Sequence, residues 1–439
     1  MRRTAVRSIV VGAAFAIAAP ALPAAAQAPS PDIPPLTLQA ALDAARANSQ
    51  VLRTAVTSAQ LATEDRVQAR AALLPGVSGL LQYIYTQPNG TPSGVFVAND
   101  GPNVYNAWGT VHGDIFAPTR WAEYRSAGAA EAVARARADV AARGLVATVV
   151  QNYYGVVAAA RKAASAQQGL TEAQQFLQIT QQQQRGGEVA RSDVVKAQIQ
   201  VSQRERDTQD ANLTLAKARL ALAVLVFADF RDNFAVVDDL QLIPPLPALE
   251  EVKAKATATS PELAAAQATI NQETAGVSAA RSGYLPSVSF DYFYGINANQ
   301  FAVYDPEGHR LLGSAAQAQM TVPLWSWGAV QSKLRQAELR RRQAEGDLAL
   351  TRRQLLANIT TFHAEAQTAR AQVDSLRASL DLAAESLRLT LLRYQAGEVS
   401  VLEVVDAQVT LIQARGAYDD GLLRYRVALA AIQTLTGTL

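Results

Sequence analysis

The sequence predicts a mainly α chain: long coiled-coil helical hairpins that form an α-barrel, four strands that contribute to a membrane β-barrel, and an internal two-fold repeat. Three observations carry this. Helix-period stretches without Pro run far beyond the length of ordinary globular helices. Two strand pairs alternate with period two and present faces of different polarity. The whole pattern is written twice at nearly one sequence offset.

The repeat sets the organisation. Leu74-Pro75-Gly76-Val77-Ser78 returns as Leu285-Pro286-Ser287-Val288-Ser289 at an offset of 211, and Gly187-Glu188-Val189 returns as Gly397-Glu398-Val399 at 210. Asn48-Ser49-Gln50-Val51-Leu52 faces Thr259-Ser260-Pro261-Glu262-Leu263, again at 211. One such match between Ala-rich helices could arise by chance, whereas three in register mark a duplicated unit. The expected units are residues 27–246 and 247–439, with Pro244-Pro245-Leu246-Pro247 at the joint.

In chain order, Arg2, Arg3 and Arg7, an apolar run from Ile9 to Ala19 and Ala24-Ala25-Ala26 form the three parts of a secretory signal peptide over residues 1–26. A membrane-anchoring helix is the alternative, but the run is too short to span a bilayer. A helix-period stretch from Leu38 to Leu73 then stops at Leu-Pro, because Pro pushes the residue before it out of the helical region. A β-hairpin is expected over 76–116, with Val77, Leu81, Tyr83 and Tyr85 outward and Ala107, Gly109 and Val111 alternating with Thr110, His112 and Asp114. A long helical hairpin follows over 120–228; its first arm, Trp121 to Gln184, lacks Pro and would extend roughly 100 Å.

The second unit repeats the order: a helical stretch from Leu249 to Gly283, a β-hairpin over 287–323 and a helical hairpin over 328–436. Its first strand places Val288, Phe290, Tyr292, Tyr294 and Ile296 on an apolar, lipid-facing side, with Ser289, Asp291, Phe293, Gly295 and Asn297 on the other, mostly polar one. In its last helix Val401, Val404, Leu411, Tyr418, Leu422, Tyr425, Leu429 and Ile432 make a 3-4-3-4 stripe, interrupted at Gln408 and Arg415, which marks a coiled-coil seam.

Composition excludes several classes. Forty Lys+Arg against 38 Asp+Glu leave a net charge of +2, too balanced for the electrostatic footprint of nucleic-acid binding. With no Cys, and with His112, His309 and His363 far apart and in no spaced ligand motif, thiol, iron–sulfur and zinc chemistry have almost no candidates, so no metal and no cofactor are expected. Past residue 26 there is no apolar run of about 18 residues, so any membrane entry is by strands. Four strands cannot close a barrel, which takes about eight or more, and an open edge is not tolerated in hydrocarbon. The chain must therefore oligomerise, and a polar inner face favours three or more copies over two. A soluble β-sandwich patch on a coiled-coil protein is the alternative; it leaves export, the Tyr-rich face and the duplicated hairpin without a common cause.

At this point the residues resemble a known family, the TolC-family outer-membrane channel-tunnel efflux proteins. The resemblance rests on the Leu-Pro after each first helical stretch, the hairpins, Pro323-Leu324-Trp325, and the run from Tyr394-Gln395-Ala396-Gly397-Glu398-Val399 to Val404-Val405-Asp406-Ala407; it covers essentially the whole mature chain. It implies a homotrimer with a 12-stranded β-barrel in the outer membrane and an α-barrel in the periplasm, gated at its periplasmic helical tips. It also implies partners: a periplasmic adaptor (membrane fusion) protein and an inner-membrane RND-type or ABC-type transporter, in a tripartite efflux or type I secretion system.

The same resemblance assigns residues. A periplasmic constriction falls on Glu403 and Asp406, spaced so that both lie on one helix face, and three copies would set six carboxylates around one aperture. Their first-repeat counterparts are Asp193 and Lys196. A gate link would join Tyr394 to Asp193, with Ser192 as a hydroxyl partner, while Val399 stands where the family carries an Arg that makes a second link. Gly187, Glu188, Val189, Gly397, Glu398 and Val399 would form the adaptor-docking tips; a plain interhelical turn is the alternative for each. Two rival classes compete. An exported hydrolase would need a nucleophile and base, yet there is no Gly-x-Ser-x-Gly run and no Cys. A periplasmic coiled-coil adaptor or structural protein would share the helical hairpins but not the aromatic strand pairs.

Overall fold

Short polar residues decide where the helices begin. The computed structural model describes residues 35–86, 102–229 and 234–439; the expected signal peptide, 1–26, and the loop of the first β-hairpin, 87–101, lie outside them. Thr37 caps α1 (Leu38–Asn48), Ser49 caps α2 (Gln50–Ala71) and Ser260 caps α6 (Pro261–Ser282), each hydroxyl accepting a backbone N–H at 3.2 Å. The uninterrupted stretches expected from Leu38 to Leu73 and from Leu249 to Gly283 are thus each broken in two, the second into α5 (Leu249–Thr259) and α6. At the breaks Ser49 and Ser260 are extended, with ψ of 117° and 118°.

The breaks serve the ends of other helices. Asn48 Nδ2 donates to Val226 O at 2.7 Å and Thr259 Oγ1 to Thr436 O at 3.3 Å. Val226 closes α4 (Arg191–Val226) and Thr436 closes α8 (Val401–Thr436), so each donor satisfies a terminal carbonyl that has no partner within its helix. Donors and carbonyls are both related by the repeat offset.

The two long arms are α3 (Pro118–Gly186, 69 residues) and α7 (Ala329–Gln395, 67 residues), each roughly 100 Å long. Pro118 at the first turn costs α3 nothing, since that N–H would lack a helical partner anyway. In α8 the expected stripe is the buried face: Val401, Val404, Leu411, Leu422, Tyr425, Leu429 and Ile432 are all nearly inaccessible. The interruption at Arg415 is an ion pair with Glu172 of α3 at 3.0 Å, and Gln408 is buried.

Strands β1 (Gly76–Tyr85), β2 (Asn103–Phe116), β3 (Ser287–Ala298) and β4 (Leu312–Thr321) form one antiparallel sheet in the order β1-β2-β3-β4. The central pair joins the two repeats, and His112 Nδ1 meets the carboxylate of its cross-strand partner Asp291 at 2.7 Å. On the strand side of the helix breaks, the helices run α2-α3-α6-α7; on the tip side they run α4-α3-α8-α7.

Between these halves lies a belt. Leu36 pairs in parallel with Val236, and the Tyr153 hydroxyl donates to both Leu36 O (3.1 Å) and Val237 O (2.9 Å). Arg161 of α3 bridges Asp238 and Asp419, tying the inter-repeat joint to α8. Burial pushes the Tyr154 hydroxyl, which donates to Asp239, up to about 12. Toward the strands, Glu131 is buried on α3 and accepts from Arg66 and Thr63 of α2, each at 3.0 Å.

Candidate gate at the helical tips

The tips are built by glycines in the left-handed region. Gly187 has φ +81° and Gly397 φ +77°, conformations that a Cβ disfavours. Past each, the chain folds back onto its own helix end: Glu188 N–H donates to Gln183 O and Glu398 N–H to Arg393 O, both at 2.9 Å. Glu188 and Glu398 are exposed, while Val189 and Val399 turn inward and pack against the tip cluster. The Val at the expected Arg position therefore has a packing role, and Arg393 lies 3.5 Å from Glu398.

That cluster joins both hairpins of the chain. Phe176 of α3, Ala197 of α4, Tyr394 of α7 and Val401, Val404 and Leu411 of α8 are all buried in it. The rings of Phe176 and Tyr394 stand edge to face with centroids 5.1 Å apart.

The expected link from Tyr394 to Asp193 is not formed. The Tyr394 hydroxyl donates to Thr180 Oγ1 at 3.4 Å, and Thr180 in turn donates to Phe176 O at 2.9 Å. Asp193 instead pairs with Lys196 at 3.3 Å, one turn along α4. The reason is burial: the ring is seated among apolar neighbours, where a neutral hydroxyl is a cheaper acceptor than a carboxylate that would have to leave water. Burial also holds the Tyr394 hydroxyl above its ordinary pKa, with the Asp193 charge adding to the effect through space. Ser192 is exposed. Gln183 Nε2 adds a second bond between hairpins, donating to Tyr394 O at 3.3 Å. Thr180 and Gln183 escaped sequence reasoning, although Thr180 recurs as Thr390 at the repeat offset and could have drawn attention.

Glu403 and Asp406 are both exposed, on the side of α8 away from Val401, Val404 and Leu411. They differ in employment. Glu403 closes a capping box, accepting from Ser400 N–H at 3.2 Å, while no side-chain partner is found for the Asp406 carboxylate among the described residues. The first repeat has Ala190 in place of Ser400 and lacks this cap.

In the sheet, Phe290, Tyr292 and Tyr294 are exposed on one face and Val288 is half-buried beside them. Their β4 neighbours are Ala318, Ala316 and Ser314, so small residues flank each ring. The opposite face carries His112, Asp291, Gln317 and Gln319, with Trp108 and Phe293 as an aromatic pair among them. No helix among the described residues is long and apolar enough to cross a membrane.

Comparison with known proteins fits this geometry. The family model for outer membrane efflux proteins matches residues 41–226 and again 253–438, once in each repeat. The chain is 25% identical over 290 residues to the cobalt-zinc-cadmium resistance protein CzcC of Cupriavidus metallidurans, a match that spans 65% of each chain. It is 23% identical over 410 residues to the outer membrane protein TolC of Vibrio cholerae, across 90% of this chain and 89% of TolC. Its fold superposes on the CmeC outer membrane channel of Campylobacter jejuni with a TM-score of 0.82 at 18% identity, covering 91% of this chain and 85% of CmeC. With its duplicated hairpins, four-stranded sheet and long helical arms, the chain belongs to the outer membrane efflux protein family.

Proposed function

We propose that the chain is one protomer of a trimeric channel-tunnel, a passive exit duct through the outer membrane for a tripartite efflux or type I secretion system. One observation carries this reading: the open edges coincide. β1, α2 and α4 lie at one side of the chain, and β4 and α7 at the other. In hydrocarbon an unpaired strand edge must find a partner. Head-to-tail pairing of β4 with the next copy's β1 repeats around an axis until the ring closes. Three copies supply twelve strands, enough to leave a lumen open to solute. The same step sets α7 against the next copy's α2 and α4, and the exposed Leu61 and Val67 of α2 and Leu339 and Leu350 of α7 supply apolar surface for it.

Within this reading, residues 1–26 direct export, Phe290, Tyr292 and Tyr294 face lipid, and Glu403 and Asp406 ring the periplasmic aperture. The exposed turns at Glu188 and Glu398 receive a periplasmic adaptor that couples the duct to an RND-type or ABC-type pump. The purified protein should insert into planar bilayers and conduct, with a preference for cations set by the carboxylate ring. Failure to insert under conditions that leave the helices folded would exclude the duct.

A further inference from the structure

The face of the sheet opposite Phe290, Tyr292 and Tyr294 is not uniformly polar. On it Trp108 of β2 stands across from Gly295 of β3, and Gly295 stands across from Gly313 of β4. A Cβ at position 295 would collide with Ala107 O and with Cα and Cβ of Trp108, so glycine is what lets the tryptophan strand come this close. A Cβ at position 313 would meet nothing within 4 Å, so the sheet is bare beside the indole. The Phe293 ring stands edge to face with that indole, their centroids 6.2 Å apart. The two rings wall a recess of about 390 Å³ over Gly295, Gly313 and Ala315, with Asn297 and Leu311 at its loop end. Its size and its mainly apolar lining suit one small aromatic molecule.

Two further observations narrow the chemistry of that molecule. The first is an open acceptor. Asn106, the cross-strand partner of Asn297, is only 8% exposed, and its Nδ2 donates to Gln82 Oε1 at 2.9 Å. Its Oδ1 accepts no hydrogen bond among the described residues. A buried acceptor is costly to leave open, and a donor from outside the chain would complete it. The second is charge. The four strands contain no Lys or Arg, and their two carboxylates, Asp114 and Asp291, share the face of the recess. Arg120 engages Asp114 and His112 engages Asp291, so the strands themselves offer an anion little. Indole and phenyl faces attract cations.

We propose that this recess binds small planar aromatic cations that carry N–H donors, of the aryl amidinium or aryl guanidinium class. The ring lies over the Gly295–Gly313 floor between Trp108 and Phe293, and the N–H groups turn to the Asn297–Asn106 end. The recess is complete within one chain. Its place in the lumen rests on the trimeric-duct reading, in which three such sites circle the barrel and hold solutes of this class in transit.

Equilibrium dialysis of benzamidine against the purified protein in detergent reads the site without any need for conduction. Saturable binding to each chain is expected. Benzamide, which keeps N–H donors but not the charge, should bind more weakly, and benzoate, of similar size and opposite charge, more weakly still. Gly313→Val leaves both rings in place and fills the recess, and should weaken benzamidine about tenfold. Asn106→Leu keeps the size of the side chain and removes the acceptor, and should weaken benzamidine and benzamide alike, by about fivefold. Circular dichroism matching the wild type shows which variants have kept their fold. Unchanged benzamidine affinity in either folded variant overturns the proposal, as does benzoate binding as tightly as benzamidine or no saturable binding to the wild type. Protein that binds benzamidine as expected yet never conducts in planar bilayers supports the site and counts against the duct instead.

Discussion

Tyr394 concentrates the physics of the tip in one side chain. Its ring fills the apolar cluster and its hydroxyl reaches Thr180, so the tip is held by packing and a neutral hydrogen bond. Tyr394→Phe keeps the ring and removes only the bond, at an expected cost of about 1 kcal/mol; hydrogen exchange at the end of α7 should quicken accordingly. Asp193→Ala should leave that exchange unchanged, because the carboxylate serves Lys196. Glu131 gives the pH counterpart. The Arg66 hydrogen bond, followed by that from Thr63, holds its carboxyl below the ordinary Glu value, against the opposing effect of burial. A depressed carboxylate stabilises the fold above its unfolded pKa, about 4.3, and the contribution disappears as pH falls through the lower folded value. Melting temperature should drop between pH 5 and 3 (about one unit either side of that value) more steeply in the wild type than in Glu131→Gln. The Gly-Glu-Val turns were legible from their repetition, whereas Glu403 and Asp406 were named only through the family resemblance. The partner of Tyr394 was not legible, because choosing between Thr180 and Asp193 depends on which side of the ring is dry.

Among elements, the two tips make an internal control. They share a left-handed Gly and the same fold-back bond, yet only α8 carries a capping box. Ser400→Ala should cost about 1 kcal/mol and Ala190→Ser should gain a similar amount at the first tip. Exchange rates in the first turns of α8 and α4 should therefore move in opposite directions. The long arms and the α8 stripe could be read from the sequence because Pro-free, 3-4-spaced patterns have few other outcomes. The breaks at Ser49 and Ser260 could not, since Ser is tolerated inside helices. It acts as a cap here because Asn48 and Thr259 are drawn to the ends of α4 and α8, contacts made across about 180 residues.

At the scale of the molecule, the proposed trimer gives the edges of the chain their partners. Among the described residues the sheet has β1 and β4 at its edges and the helical layer has α2 and α4 at one edge and α7 at the other, and both sets fall on the same sides. A chain long enough for separate domains instead has its described residues in one unit, with strands at one end and helical tips at the other. Of the two carboxylates assigned to the proposed aperture, Glu403 accepts from Ser400 N–H while Asp406 has no side-chain partner among the described residues. Asp406→Asn should therefore lower cation preference, read as a shift of the reversal potential toward zero under a salt gradient, with the tips still folded. The four strands were legible from their period-two pattern, whereas the order in which the helices lie was not, because it depends on β2 meeting β3 across the repeat. The most direct test is electron cryomicroscopy of the protein in lipid nanodiscs. A three-fold ring with β4 paired to the neighbouring β1 and α7 against the neighbouring α2 and α4 is the expected result, and a monomer or a closed pair of chains would contradict it.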